Sequence, residues 1–333
     1  MKRIRVIQAE GSSYEIGLEI GKQTKKEIAK LLSKTERVST DKKEITDAYK
    51  GYLEHLRKFP AIIDELNGIA DGAGVSFDSI ARLNITELER HKRDDACSTV
   101  IVMADDKFIV GHNEDGNLND DVYILRVKFP DGTRMVSLNY YGSLMGIAVN
   151  INSHGLIMLC NALKPSDAGI GLPKRAVDRL LAGCKSINGC INLLEKLPRA
   201  SGQNFVLING DEAVSVETSA KKTSVNKIKK NYYHCNNYLE QNLKHLEALD
   251  RGAGSFKRSG VAARMVSSLG SLDDIRELLS SHENQPMSIC VHEYRDMKTL
   301  ASVFIDLNNK SVLVGHGNPC MSVLEELNVG FDW

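Results

Sequence analysis

Long hydrophobic runs are missing from this 333-residue chain: no stretch approaches the ~20 consecutive apolar residues that a membrane-spanning helix needs. A charge excess is missing too. Lys+Arg and Asp+Glu both number 43, so the formal charge is zero, whereas nucleic-acid binders carry a basic surplus. The local clusters Lys221-Lys222 and Lys227-Lys229-Lys230 read as solvated loop or edge-strand charge. Neither a nucleic acid nor a membrane is an expected partner. The basic start, MKRIRVIQAEG, is followed by no apolar run of signal-peptide length. The seven cysteines, at 97, 160, 184, 190, 235, 290 and 320, are odd in number and form no C-x-x-C pair. That argues for free thiols in a reducing compartment, and the expected location is the cytoplasm. No G-x-G-x-x-G or G-x-x-x-x-G-K-S/T stands between a strand and a helix, which excludes dinucleotide and P-loop readings. Gly252-Ala253-Gly254-Ser255 is only a loop with helix-start chemistry.

What the chain does have is two kinds of periodicity. Residues 12–36 carry Ile16, Ile20, Ile28, Leu31 and Leu32 on a related helical face, with Ser12 or Ser13 placed to cap and Glu15 to answer the cap. The segment 44–96 also reads as helices, broken at Pro60 and at Gly72-Ala73-Gly74, with one short strand expected before them at Arg3–Ala9. At Cys97 the pattern changes to short β-forming runs in hairpin rhythm. Strands are expected at Val122–Phe129, Met135–Tyr141, Met145–Ile151, Leu156–Cys160, Phe205–Ile208, Ala213–Glu217, Ser224–Tyr233, Ser288–Val291, Leu300–Ile305 and Ser311–Val314. Helical blocks are expected at about 173–197, 238–250, 256–269 and 272–281, the last opened by Ser271 and Asp273-Asp274. Hairpins outnumber helical crossovers, which predicts an α+β fold with antiparallel sheets and helices segregated outside them.

The hairpin 97–115 holds the candidate chemistry. Cys97 opens a strand after the polar Arg93-Asp94-Asp95, and the returning strand ends in His112, Asn113 and Asp115, which a hairpin register brings back towards residue 97. A free cysteine is most often a small buried hydrophobe. Here, however, cutting the Ala96–Cys97 bond would make Cys97 an N-terminal residue. An α-amine with a reference pKa of ~7.7–8.0 would then lie beside its own thiol, so nucleophile and base would share one residue.

At these residues the sequence resembles the acyl-coenzyme A:6-aminopenicillanic acid acyltransferase family of N-terminal-nucleophile hydrolases and, more distantly, the conjugated bile acid hydrolases. The resemblance rests on Gly11-Ser12-Ser13-Tyr14-Glu15-Ile16-Gly17, Asp71-Gly72-Ala73, Leu83-Asn84, Cys97-Ser98-Thr99 and Gly111-His112-Asn113-Glu114-Asp115. It continues through Asn152-Ser153-His154-Gly155-Leu156, Asn161-Ala162-Leu163, His234-Cys235-Asn236-Asn237 and Pro286-Met287-Ser288-Ile289-Cys290. It implies a four-layer αββα fold made as a precursor. That precursor would cut itself between Ala96 and Cys97 into segments 1–96, mainly helical, and 97–333, catalytic, which stay associated as one domain. The implied activity is hydrolysis of linear amides such as N-acyl amino acids or short peptide-like amides, or transfer of their acyl group, with no cofactor and no metal. Cys97 is the implied nucleophile, Asp115 the residue holding amine and thiol, Asn236 an oxyanion donor and Asn161 a carbonyl-binding neighbour. Ser255-x-x-Arg258 matches a Ser/Arg feature of the superfamily, with Arg258 the expected clamp for a substrate carboxylate.

Three positions depart from the family pattern. Ala96 stands where Gly is usual before the nucleophile, His112 where bile acid hydrolases carry arginine, and Thr299 where the penicillin acyltransferase has a late arginine. His112 and Thr299 are therefore candidate substrate-recognition positions. Alternatives that stay open are an uncleaved, inactive relative acting as a binding protein, an acyl-CoA-dependent N-acyltransferase, and a papain-like enzyme using His234 or His292. Zinc ligands at His112-x-Glu114 or His234-Cys235 lack a complete four-ligand spacing. The oligomeric state, including a homo-oligomer, is left open by the sequence.

Overall fold

The structure is a computed structural model that describes residues 3–35, 42–89, 96–104, 107–249 and 253–333. Arg93-Asp94-Asp95 lie outside the described residues. After β1 (Val6–Glu10), α1 (Ser13–Thr35) starts at a capping box: Glu15 Oε2 accepts from Ser12 N at 2.8 Å and Ser12 Oγ accepts from Glu15 N at 3.4 Å. Then come α2 (Lys42–Leu56), α3 (Pro60–Ala73) and α4 (Phe77–Asn84). Pro60 opens α3, and Gly74 closes it in the left-handed region at φ 72°. Helices α1 and α3 cross with backbone against backbone. A Cβ on Gly68 would lie 2.2 Å from Tyr14 O, and one on Gly17 2.3 Å from Glu65 O. Only glycine permits that approach.

The strands follow: β2 (Ala96–Ala104), β3 (Lys107–Asn117), β4 (Val122–Lys128), β5 (Arg134–Tyr140), β6 (Val149–Asn152) and β7 (Leu156–Leu163). Helices α5 (Lys174–Ala182) and α6 (Ile187–Lys196) precede β8 (Gly202–Asn209), β9 (Glu212–Thr218), β10 (Thr223–Lys227) and β11 (Tyr232–His234). Helices α7 (Ala253–Met265) and α8 (Leu272–Leu279) precede β12 (Met297–Asp306), β13 (Ser311–His316) and β14 (Glu325–Glu326).

These strands form two sheets, ordered β1-β4-β5-β6-β7-β8-β9-β10 and β11-β2-β3-β12-β13-β14. Among the described residues, these strands all pair antiparallel except β1 with β4. Three apolar layers hold the stack together. Ile16, Ile20, Leu66 and Ile69 of the first helices, with Leu181 and Leu194, pack on Tyr123, Met158 and Phe205 of the eight-stranded sheet. Ile101, Val110 and Val303 of the other sheet meet Ile124, Leu138 and Leu159. Val100, Val102 and Ile109 turn the opposite way, onto Val261, Ile275 and Leu278 of α7 and α8. The order is helix, sheet, sheet, helix: the αββα layering expected from the sequence.

Four expected elements differ. The helix expected at 238–250 is turns with one short 3-10 segment, Lys244–Leu246, over its described part. There the backbone N–H groups go to acidic side chains: Tyr238 N to Glu247 Oε2 at 2.8 Å, Leu239 N to Glu217 Oε1 at 2.7 Å and Glu240 N to Glu217 Oε2 at 3.1 Å. The strand expected at Ser288–Val291 does not form, because β12 is already flanked by β3 and β13; Val291 instead binds residue 299 locally. The strand expected from Met145 starts at Val149, after Gly146 and Ala148 at positive φ. The run Ser224–Tyr233 is two strands, β10 and β11, belonging to different sheets.

Candidate active site

The β2–β3 hairpin pairs Cys97 with Glu114 and Ala96 with Asp115. Side chains alternate across a strand, so Cys97 and Glu114 share the face turned to the eight-stranded sheet, while Asp115 shares the face turned to α7 and α8. The thiol therefore meets Glu114: Sγ donates to Oε2 at 3.3 Å. Oε1 of the same carboxylate takes the hydroxyl of Tyr140. Behind it, His112 Nε2 lies 2.9 Å from Glu114 Oε2 and Nδ1 lies 2.8 Å from Thr99 Oγ1. Thr99 gives its one proton to Asn161 Oδ1 at 2.9 Å, so Nδ1–H of His112 is the donor to Thr99.

The backbone of Cys97 is held from the other side. Its N–H donates to Asn236 Oδ1 at 2.8 Å. That oxygen also accepts from Arg258 Nη2 at 2.7 Å, and Asn236 Nδ2 donates to Ala162 O at 3.0 Å. A guanidinium only donates, so the atom of Asn236 facing Arg258 and Cys97 is its oxygen. Asn236 thus reaches the backbone nitrogen of Cys97 as an acceptor. Asn161 keeps a buried Nδ2 with no partner among the described residues.

Asp115 Oδ1 accepts from Thr299 Oγ1 at 2.6 Å, and Oδ2 is buried without a partner among the described residues. Burial raises the Asp115 pKa to about 7; Arg258 and the Thr299 hydroxyl pull it down, and Glu114 pushes it up. The Cys97 thiol is pushed well above the ordinary thiol range, first by burial and then by Glu114 and Asp115. In the intact chain it is a protonated thiol, not a preformed thiolate.

Cys97, Glu114 and Asp115 open onto a cavity of about 250 Å³. Asp120, Asp178 and Asp296 add carboxylates to its wall, and Lys174, Arg175 and Arg295 add cations. Burial raises Asp178 to about 7, although Gln203 Nε2 donates to it at 2.5 Å and Lys174 lies near.

Three expected recognition residues stand behind this wall, none of them among the cavity's lining residues. His112 is fully buried with both ring nitrogens engaged. Thr299 is spent on Asp115 and on Val291 N. Arg258 is buried against Asn236, and the cations that line the cavity are Lys174, Arg175 and Arg295. His234 pairs with Glu217 at 2.9 Å and His292 lies beside Cys290 and Cys320, so neither takes a papain-like place against the thiol. Cys97, His112 and Glu114 bring three ligand-type atoms together, with Cys97 Sγ and His112 Nε2 both against Glu114 Oε2. The residues that sequence reading missed are Glu114, Tyr140 and the cavity cations. Glu114 was within reach, since pairing across Ala104 and Lys107 aligns residue 97 with 114 rather than 115.

The sequence family described as acyl-coenzyme A:6-aminopenicillanic acid acyl-transferase matches residues 102–320, a span that begins just after Cys97. A beta-alanyl-dopamine/carcinine hydrolase of Drosophila melanogaster is 24% identical over 221 residues, 58% of this chain and 57% of that protein, so the chain spans little more than half the length of this relative. Two variants of the conjugated bile acid hydrolase from Clostridium perfringens superpose with TM-scores of 0.41 and 0.43 at 11% and 12% identity. Each superposition covers 71% of this chain and 98% or 99% of theirs. With two thirds of its length inside the matched span, the chain belongs to the acyl-coenzyme A:6-aminopenicillanic acid acyl-transferase family.

Proposed function

We propose that this protein is a self-processing cysteine amidase acting on small, peptide-like linear amides. The observation that carries the reading is the double hold on Cys97: its backbone nitrogen on Asn236 and its thiol on Glu114, both at the rim of a cavity. Processing starts with attack of Sγ on the Ala96 carbonyl carbon. The C–S bond forms, the Ala96–Cys97 C–N bond breaks, and the thiol proton ends on the freed nitrogen. Water then hydrolyses the thioester, leaving an Ala96 carboxylate and a Cys97 that carries amine and thiol. The two segments, 1–96 and 97–333, stay together, since the helices of the first pack on strands of the second.

The amine supplies what the buried thiol lacks. A free α-amine with a reference pKa of ~7.7–8.0 takes the thiol proton as sulfur attacks the amide carbonyl. That proton passes to the departing amine, and water releases the acyl group. Asn236 Oδ1 keeps its hold on the nitrogen, Asp115 Oδ2 accepts from the ammonium, and Asn161 Nδ2 is the donor for the carbonyl oxygen. A cavity of about 250 Å³ lies below the ~300–1,000 Å³ of pockets for drug-sized ligands. Its mixed lining of carboxylates and cations suits an amide with an ammonium at one end and a carboxylate or polar group at the other. The β-alanyl amides in the name of the Drosophila relative fall in this size class. Water is the expected acyl acceptor.

The test is Cys97→Ala, which should give an intact, folded and inactive chain while the parent hydrolyses members of a panel of β-alanyl amides, N-acyl amino acids, penicillins and bile salt conjugates. Cleavage of that variant at the same bond, or parent turnover confined to the bulky penicillins and bile salts, would sink the reading.

A further inference from the structure

Away from the cavity, His282, Cys290, His292 and Cys320 bring four ligand atoms together, all within 4.8 Å of one another. They come from two separate stretches of chain: His282, Cys290 and His292 from the connection between α8 and β12, and Cys320 from the turn after β13. Cys290 Sγ lies 3.6 Å from Cys320 Sγ and 3.9 Å from His292 Nε2. His292 Nε2 lies 3.3 Å from Cys320 Sγ and 3.0 Å from His282 Nε2. One imidazole nitrogen has either one proton or one lone pair, so His292 Nε2 cannot make hydrogen bonds to three neighbours at once. Convergence on a common centre accounts for all of them. A zinc ion ~2.3 Å from sulfur and ~2.0–2.1 Å from nitrogen in a tetrahedron sets its ligand atoms roughly 3.3–3.8 Å apart.

We propose that His282, Cys290, His292 and Cys320 form a tetrahedral Cys₂His₂ site for a structural zinc ion. Binding releases two thiol protons, and two thiolates with two neutral imidazoles leave the site with no net charge around the dication. A surrounding partner is already in place: Asn318 Nδ2 donates to Cys290 Sγ at 3.3 Å and to Val291 O at 2.8 Å, fixing the sulfur from outside. Four protein ligands leave no open position, so the ion takes no part in chemistry. Its place in the fold gives it another use. The chain leaving His292 runs directly into Tyr294, Arg295, Asp296 and Met297, which wall the cavity beside Cys97. The ion would tie that wall to α8 and to the turn after β13.

The untagged full chain tests this with Co(II), whose colour reports its ligands. The metal-stripped protein, given one equivalent of Co(II), should develop tetrahedral ligand-field bands and a thiolate-to-cobalt charge-transfer band, both lost when Zn(II) is added. Cys97→Ala should bind Co(II) like the parent, which separates this site from the Cys97, His112 and Glu114 group. Cys320→Ala removes an exposed ligand without opening the core, and it should abolish the charge-transfer band at one equivalent. Asn318→Ala should weaken Zn(II) binding roughly 10- to 100-fold. Bands that survive Cys320→Ala, an absence of bands in the parent, or a Cys290–Cys320 disulfide in freshly purified protein would overturn the assignment.

Discussion

The backbone nitrogen of Cys97 and the side-chain oxygen of Asn236 meet at 2.8 Å across 139 residues of sequence, and the same oxygen holds Arg258. The contact joins the start of β2 to the loop after β11. It places an acceptor on the atom that peptide-bond cleavage would turn into an amine. Removing the acceptor leaves two buried donors unpaired, a situation that costs about 1–3 kcal/mol each or more where one is charged. Asn236→Ala should slow the appearance of the two cleavage products by about tenfold or more, the scale of one lost transition-state contact. A time course by denaturing electrophoresis measures it; an unchanged half-time would confine Asn236 to holding Arg258.

Glu114 faces the thiol and, with burial, keeps it protonated. Glu114→Gln keeps the shape and removes the charge. The pH of half-alkylation of Cys97, followed peptide by peptide by mass spectrometry, should fall, because one of the groups raising the thiol is gone. Turnover should drop at least tenfold, since a neutral amide holds the S–H less firmly in place for transfer of its proton to the Cys97 amine. An unchanged alkylation profile would show that burial and Asp115, not Glu114, set the thiol.

Asp178 makes stability fall as pH rises. Its folded pKa is about 7 and its unfolded reference is ~3.9. Between these values the folded chain keeps a proton that the unfolded chain has lost, so the stabilising difference is fully present below about pH 4 and is lost as pH passes through about 7. Asp115 adds the same sign over the same window. Asp178→Asn retains the Oδ1 that accepts from Gln203. It should flatten the decline in Tm between pH 5 and 8 and leave the variant more stable than the parent at pH 8. Scanning calorimetry at the two pH values decides it: parallel slopes for variant and parent contradict the assignment.

Two glycines separate packing from propensity. Gly68→Ala sets a Cβ on the α1 backbone, which cannot give way, and should destabilise by about 1–3 kcal/mol or more despite alanine's better helix propensity. Gly260 sits in α7 with nothing within 4 Å of the added carbon, so Gly260→Ala should stabilise by roughly 0.5–1 kcal/mol. Urea midpoints for both variants test the pair; equal shifts would mean that the α1–α3 crossing can open.

The layers were legible because they rest on local chemistry: the Ser12–Glu15 box, the Ser271–Asp274 box of α8, Pro60 and Gly74, and the alternation of the hairpin strands. Cys97 was legible for the same reason, as the start of a strand beside a polar return. The surroundings of its side chain were not. His112, Thr299 and Arg258 stand close to the site in sequence pattern, yet pleat and burial turn each of them to a bonding partner behind the cavity wall. Lys174, Arg175 and Arg295 come from loop and helix positions whose approach depends on how the two sheets stack. The Cys₂His₂ cluster escaped for a similar reason: His282 and Cys320 lie far apart along the chain, and no short spacing announces them. The failed helix at 238–250 shows the limit of periodicity, since Glu217, from β9, and Glu247, within the segment itself, take its backbone donors.

Mass spectrometry of the purified chain under denaturing conditions tests the central claim most directly. Self-processing at Ala96–Cys97 predicts two pieces of about 11 and 26 kDa, scaled by residue number from 36.8 kDa, the larger beginning Cys97-Ser98-Thr99-Val100. A chain that stays at its full mass through long incubation and still hydrolyses amides would contradict the claim, and would make the Cys97–Glu114 pair of the uncut protein the source of activity.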